Sequence, residues 1–185
     1  MDIVVRRVLP YEYPKYRTHL KSLDSESRTL RFGFPVKDET IDALCNGIEK
    51  NTSDHILFCI ENSKLEFVGM GHIALNPEME LAFSVLSDYR HRGYGNALMD
   101  RAVQYCRTHN LLKGHMVCLS SNTAIKKMCI KHGIRMQNDH GETTGSIVLD
   151  TPDIKTFIDE SLALNAGAAD YIFKRAFIPW KIYPN

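Results

Sequence analysis

Long apolar runs are missing from this chain. None approaches the ~20 consecutive apolar residues that a helix needs to cross a bilayer, so no membrane partner is expected. Charge of one sign is missing too. The 185 residues carry a formal net charge of +1, which gives no broad basic field and no expectation of a nucleic-acid partner. The five cysteines, Cys45, Cys59, Cys106, Cys118 and Cys129, form no Cys-x-x-Cys pair and no metal-ligand spacing. Their odd number points to reduced thiols and a cytoplasmic location. Met1 to Pro10 has only a short apolar run before Arg6-Arg7, which is not the apolar core of a signal peptide. The eight histidines make no His-x-x-x-His pair, and no metal is expected. Internal repeats and low-complexity tracts are absent as well. What remains is an ordinary globular composition, long enough to bury a core without staples.

The chain is organised around Glu80 to Asn96. Its first half reads as a strand, with Leu81, Phe83 and Val85 alternating with smaller residues. Its second half, Arg90-His91-Arg92-Gly93-Tyr94-Gly95-Asn96, is a charged turn with two glycines. A helix follows at once, with Leu98, Met99, Ala102, Val103 and Cys106 at helical spacing. A strand, a glycine turn and a helix start make an anion site. The first helical N–H groups lack partners inside the helix and sit at the positive end of its dipole. Two other glycine-loop readings fail. A Walker-type loop needs Gly-Lys-Ser/Thr, and here Gly95 is followed by Asn96-Ala97. A dinucleotide fingerprint needs a third glycine or alanine where this chain has Leu98.

Around this stretch the pattern predicts an opening strand over Ile3 to Val8 and a helix within Pro10 to Leu23. A second helix spans Lys37 to Lys50, with Asp38 as its N-cap. His55 to Glu61 and Glu66 to Leu75 read as a hairpin joined at Asn62-Ser63-Lys64. His115 to Leu119 is a strand, Thr123 to His132 a helix with Asn122 at its N-cap, and Thr144 to Leu149 a last strand. The order implies a mixed sheet in which strands four and five are parallel across a βαβ crossover. Thr151 and Pro152 then open a long amphipathic segment carrying Ile154, Phe157, Ile158, Leu162, Ile172 and Phe173. Gly167 is expected to weaken its middle by about 1 kcal/mol relative to alanine. Phe177-Ile178-Pro179-Trp180 is expected to close the segment with bulky apolar groups. The domain reading is therefore 1–150 for one α/β (α+β) domain and 151–185 for a helical appendage. The appendage packs on that domain or forms a dimer contact, so a homodimer stays open.

Arg90-x-x-Gly93-x-Gly95 resembles the pyrophosphate loop of the GNAT superfamily of N-acetyltransferases. Asn122 at the opening of the next helix and Gly133-Ile134 at its end are similar to the family pattern in type and spacing. Ser27-Arg28-Thr29-Leu30-Arg31-Phe32 resembles a stretch found ahead of the second helix in many GNAT domains, including those of bacterial protein lysine acetyltransferases; it either borders the acceptor pocket or is a solvated helix edge with a buried ring. The resemblance covers roughly Ile3 to Asp150. It implies a mostly antiparallel central sheet with helices on both faces, to which the C-terminal helix read above is added. It also implies transfer of an acetyl group from acetyl-CoA to a primary amine, either on a small molecule or on a protein lysine.

The resemblance assigns roles as well. The N–H groups of His91 to Asn96, in the loop that Arg90 opens, would hold the pyrophosphate, and Arg92 would meet the CoA ribose phosphate. The backbone of Phe83, Ser84 and Val85 would align the pantetheine arm, and Asn122 would bond it from the other side. Lys126 and Lys127 either meet the CoA ribose phosphate or lie on an exposed helix face. Glu80 stands where the resembling lysine acetyltransferases keep a catalytic carboxylate, so it is the expected general base, with Glu78 as reserve. Many family members have a tyrosine acid where this chain has Cys129, which is either a proton donor or a small buried hydrophobe. That departure keeps open a second reading, a non-catalytic acyl-CoA-binding sensor or interaction module.

Overall fold

The structure, a computed structural model, describes residues 3–178. Seven strands form one sheet in the order β1-β2-β3-β4-β5-β7-β6. β1 (Arg6–Arg7), β2 (His55–Glu61), β3 (Phe67–Ala74) and β4 (Glu80–Val85) run antiparallel to their neighbours. β5 (Lys113–Leu119) is parallel to β4, and β6 (Arg135–Asp139) and β7 (Glu142–Val148) complete the antiparallel far edge. The helices are α1 (Tyr13–Lys21), α2 (Ser25–Phe32), α3 (Asp38–Lys50), α4 (Tyr94–Thr108), α5 (Thr123–Lys131) and α6 (Ile154–Ala176). The expected mixed sheet, its parallel pair and the added C-terminal helix are all present.

Two cores sandwich the sheet. On one face Phe58, Leu81, Leu98, Met99 and Ile147 pack between the strands and α4. On the other, Tyr16, Leu20, Ile41, Ile48, Leu57 and Met70 pack against α1 and α3. Because β2 and β3 are covered on both faces, they read as continuous apolar runs, as strands buried on both sides do.

The structure corrects several sequence expectations. The opening strand pairs only over Arg6–Arg7, because a three-residue 3₁₀ turn at Pro10–Glu12 already redirects the chain. Ser25 to Phe32 is a full helix, capped by Asp24, whose carboxylate accepts from the Ser27 N–H at 2.7 Å. Lys37, not Asp38, holds the N-cap of α3, and Asp38 adds its charge to the first turn instead. A seventh strand, β6, joins β7 through His140 and Gly141, both at positive φ, the backbone of a two-residue hairpin turn. α6 is capped by Asp153 rather than Thr151. The Asp153 carboxylate accepts from the Thr156 N–H at 2.7 Å, and the Thr156 hydroxyl accepts from the Asp153 N–H at 3.2 Å. Pro179 and Trp180 lie outside the described residues.

α6 rests on α4 and β1 through polar groups. Arg101 of α4 makes a bidentate pair with Glu160, at 2.7 and 2.8 Å, both buried. Arg6 is shared between Glu12 and Glu61, also buried, and its guanidinium lies 4.6 Å from the Tyr171 ring centroid. Gly167 sits directly over Arg6. A Cβ there would come within 2.8 Å of the Arg6 Cβ and 3.3 Å of its Cα. The glycine is therefore a point of close approach that lets the helix lie down on the strand, rather than only a weakness in it.

Candidate functional site

β4 and β5 share a single residue pair, Glu80 with His115. Beyond it β5 continues its ladder with β7 only. β4 thus keeps β3 on one side and opens a cleft on the other. The alternation of backbone groups shows what faces that cleft. The Met79 carbonyl accepts from the His115 N–H at 2.8 Å on the β5 side, and the Leu86 N–H donates to the Val68 carbonyl at 2.9 Å on the β3 side. Odd-numbered residues therefore present N–H and C=O to the cleft, which assigns Phe83 and Val85 as unpaired strand positions there.

A cavity of about 550 Å³ fills this cleft. Its walls come from Phe83, Ser84 and Val85, from Tyr89 to His91, from Gly93 to Asn96, from the face of α5 that begins at Asn122, and from Leu23, Ser27, Leu30 and Arg31. At the loop, His91 and Gly93 adopt φ of +60° and +82°. That backbone turns the chain into α4, whose first internal bond runs from the Ala97 N–H to the Gly93 carbonyl at 3.1 Å. The N–H groups of Tyr94, Gly95 and Asn96 have no partner inside the helix and are aimed from its positive end. Gly95 also has to be small, since a Cβ there would lie 3.0 Å from the Met128 sulfur. An anion with several acceptor oxygens fits this terminus.

Asn122 caps α5 by accepting from the Ile125 N–H at 3.2 Å, and its amide donates to the Leu30 carbonyl at 3.5 Å. It thereby ties α5 to α2 across the cavity. The Arg90 guanidinium donates to the Ser27 hydroxyl and makes the second tie. Arg31 reaches the cavity next to them. It donates to the Tyr16 hydroxyl at 3.3 Å, lies 5.1 Å from the Phe32 ring centroid, and pairs with no carboxylate among the described residues. The lining includes Arg31, Arg90, Lys127 and Lys131 and no acidic residue.

Of the sequence-predicted binding residues, Phe83, Ser84, Val85, Arg90, His91, Gly93, Tyr94, Gly95, Asn96 and Asn122 are brought together around the cavity. Arg92 is not. Its side chain donates to the Asp88 carbonyl at 2.9 Å and lies over the Tyr89 ring. Lys127 joins the lining, whereas Lys126 donates to the Ser120 carbonyl at 3.0 Å. Glu80 stands at the vertex where β4 and β5 part, on the same side of β4 as Ser84. It lies about 10 Å along the strand from Phe83, outside the lining. Cys129 is buried, with its thiol 3.3 Å from the Met116 sulfur, and burial pushes that thiol up to about 11. It is also outside the cavity lining, so it packs the core and does not face the site.

Sequence reading missed what stands behind Ser84. His19 is buried between the Phe67 carbonyl and the Ser84 hydroxyl, each 2.8 Å from a ring nitrogen. A carbonyl only accepts, so Nδ1 carries the proton and Nε2 accepts from Ser84. Burial pushes His19 down to about 4, with Arg31 adding to the effect. Behind it, His55 and His72 sit 3.0 Å apart, and burial holds His72 well below the ordinary histidine range. Nothing in the spacing of these histidines announced the cluster, because α1, β2 and β3 bring them together.

Comparison with known proteins bears on the whole arrangement. Residues 20–134 match the model of the acetyltransferase (GNAT) family. The fold is similar to the GNAT domain of a PAT from S. lividans, with a TM-score of 0.64 and 16% identity over 78% of this chain and 89% of that one. It is also similar to a ribosomal-protein-alanine N-acetyltransferase from Brucella melitensis (TM-score 0.61, 14% identity, 80% and 100% covered). A third similar structure is the PaiA N-acetyltransferase from Thermoplasma acidophilum in complex with coenzyme A (TM-score 0.59, 13% identity, 80% and 99% covered). A search of curated protein sequences found no match.

Proposed function

Since the chain belongs to the GNAT family of acyl-CoA-dependent acetyltransferases, which use acetyl-CoA, we propose that it is an N-acetyltransferase with Glu80 as general base. One observation carries this reading: β4 loses its neighbour immediately after Glu80, and the opened edge leads directly to the helix terminus built at Gly93. When bound, acetyl-CoA supplies an acetyl group activated as a thioester; the acceptor amine would take it directly, a C–N bond forming as the C–S bond breaks and CoA leaves as the thiolate.

The chain's own residues do the rest. The N–H groups of Tyr94, Gly95 and Asn96 hold the pyrophosphate, with Arg90 and Lys127 adding positive charge. The cleft-facing backbone of Phe83 and Val85 aligns the pantetheine arm as an added strand would. The Val85 N–H is aimed at the acyl oxygen. Glu80, at the vertex, takes the proton of the attacking amine through water. Apart from Glu80 at the vertex, outside the lining, the cavity offers an acceptor Arg31 and no carboxylate, so the further charges of a polyamine would meet like charge there. An acceptor of lower positive charge, such as an amino acid or a peptide amine, suits it better.

Glu80→Gln tests the assignment. Thiol release from acetyl-CoA in the presence of an amine panel should fall roughly 100-fold or more in kcat, with acetyl-CoA affinity by calorimetry unchanged. Unchanged turnover would remove Glu80 from the mechanism. Wild-type binding without amine-dependent release by any small or peptide amine would favour the sensor reading.

A further inference from the structure

α6 is amphipathic in the reverse of the usual sense. The face it lays on α4 and β1 holds Thr156, Glu160 and Gly167, all buried. Its apolar side chains point outward. Phe157 and Ile158 are 50% and 54% exposed, and Ile172 and Phe173 are 66% and 65% exposed. Each keeps half or more of its surface open, and among the described residues the Phe177 ring lies 4.8 Å from that of Phe173.

The outward stripe is also self-complementary. Asn165 lies at its centre and is exposed. Phe157 and Ile158 stand eight and seven residues before it, and Ile172 and Phe173 stand seven and eight after it. Leu162, three before, is matched by the small Ala168, three after. At 100° per residue all of these fall on one side of the helix, opposite Glu160 and Gly167. A pattern that reads alike in both directions about one residue is what a two-fold axis perpendicular to a helix requires.

We propose that α6 is the interface of a homodimer, in which two copies of the helix pack antiparallel about an axis at Asn165. The axis brings Phe157 level with Phe173 of the second copy and Ile158 level with Ile172. The large Leu162 meets the small Ala168. Asn165 meets its own copy, where two amides can exchange hydrogen bonds and fix the register. The helix is about 35 Å long and the stripe covers about half its girth, so the pair buries on the order of 600 Å² per copy. That reaches the lower bound of roughly 1,200 Å² in total for a stable interface. Arg6, over the Tyr171 ring, and Arg101, paired with Glu160, hold the helix against its own chain and leave the apolar face to the partner.

The test uses the full chain. Sedimentation equilibrium at micromolar concentration should give a dimer. Ile158→Glu and Ile172→Lys should each weaken it at least tenfold, while far-ultraviolet circular dichroism stays as in the wild type. Both substitutions in one chain place opposite charges level with each other twice, and should restore much of the dimer. Asn165→Cys should cross-link to itself on mild oxidation, because the native cysteines are all buried. A monomer throughout the concentration range, a higher oligomer, or no rescue in the double variant would each overturn the proposal.

Discussion

His19 ties the stability of the molecule to pH. Its ring is buried and neutral in the folded state and is pushed down to about 4, whereas a free histidine titrates near 6.5. As pH falls from about 6.5 to about 4, the unfolded chain takes up a proton that the folded chain refuses. Folding stability must therefore drop across that window, by about 3 kcal/mol for this group alone. His72 acts in the same direction. Glu12 acts at a lower pH. Burial opposes its ionisation, but the Arg6 guanidinium outweighs that and holds the carboxyl below its ordinary range, so its contribution is lost only in stronger acid. Urea unfolding at pH 7.0, 5.5 and 4.5 should show the decline, and His19→Gln should flatten it. An equal slope in the variant would mean that other groups carry it.

Among the larger elements, the joint between α4 and α6 is the most exacting. Arg101 and Glu160 are each buried, and the carboxylate takes both terminal guanidinium nitrogens, leaving the buried Arg101 Nε without a hydrogen-bond partner among the described residues. Glu160→Ala strands a buried guanidinium and should cost about 3–5 kcal/mol in denaturant unfolding. Arg101→Met with Glu160→Leu removes both charges and should cost less, since no ion is left behind. How legible each element was in the sequence follows from similar physics. β4, the glycine loop and α4 were readable because a period of two, a glycine turn and a helical period follow one another without interruption. β6 was not, because Arg135, Gln137, Asn138 and Asp139 line an exposed edge where polar residues are what a strand needs. α2 hid for a related reason: only Ser27 is fully buried, and its other face serves the cavity. The loop residues of the site could be named from the sequence. Arg31 and the His19–Ser84 contact needed the packing of α1 and α2 against β4, and the distance of Glu80 from the cavity needed the point at which β5 leaves.

Across the whole molecule, net charge is close to balanced, yet the cavity is lined by cations without a carboxylate. A polyanionic ligand is therefore drawn by a local field, which salt screens. Raising ionic strength from about 0.01 M to about 0.15 M shortens the screening length from ~30 Å to ~8 Å. Acetyl-CoA affinity by calorimetry should fall several-fold over that range. An affinity indifferent to salt would mean that apolar contacts in the cleft dominate binding.

α4 has two tasks, one at its start and one at its middle. Its first turn supplies the N–H groups at the cavity, and two turns later Arg101 grips the helix that carries the outward apolar stripe. The two sites are thus joined by one rigid rod about 10 Å apart along its axis. Any shift of that rod links the two equilibria, and linkage is reciprocal. The factor by which acetyl-CoA tightens or loosens self-association must equal the factor by which self-association changes acetyl-CoA affinity. Sedimentation with and without the ligand, set beside calorimetry below and above the association midpoint, should return one number twice.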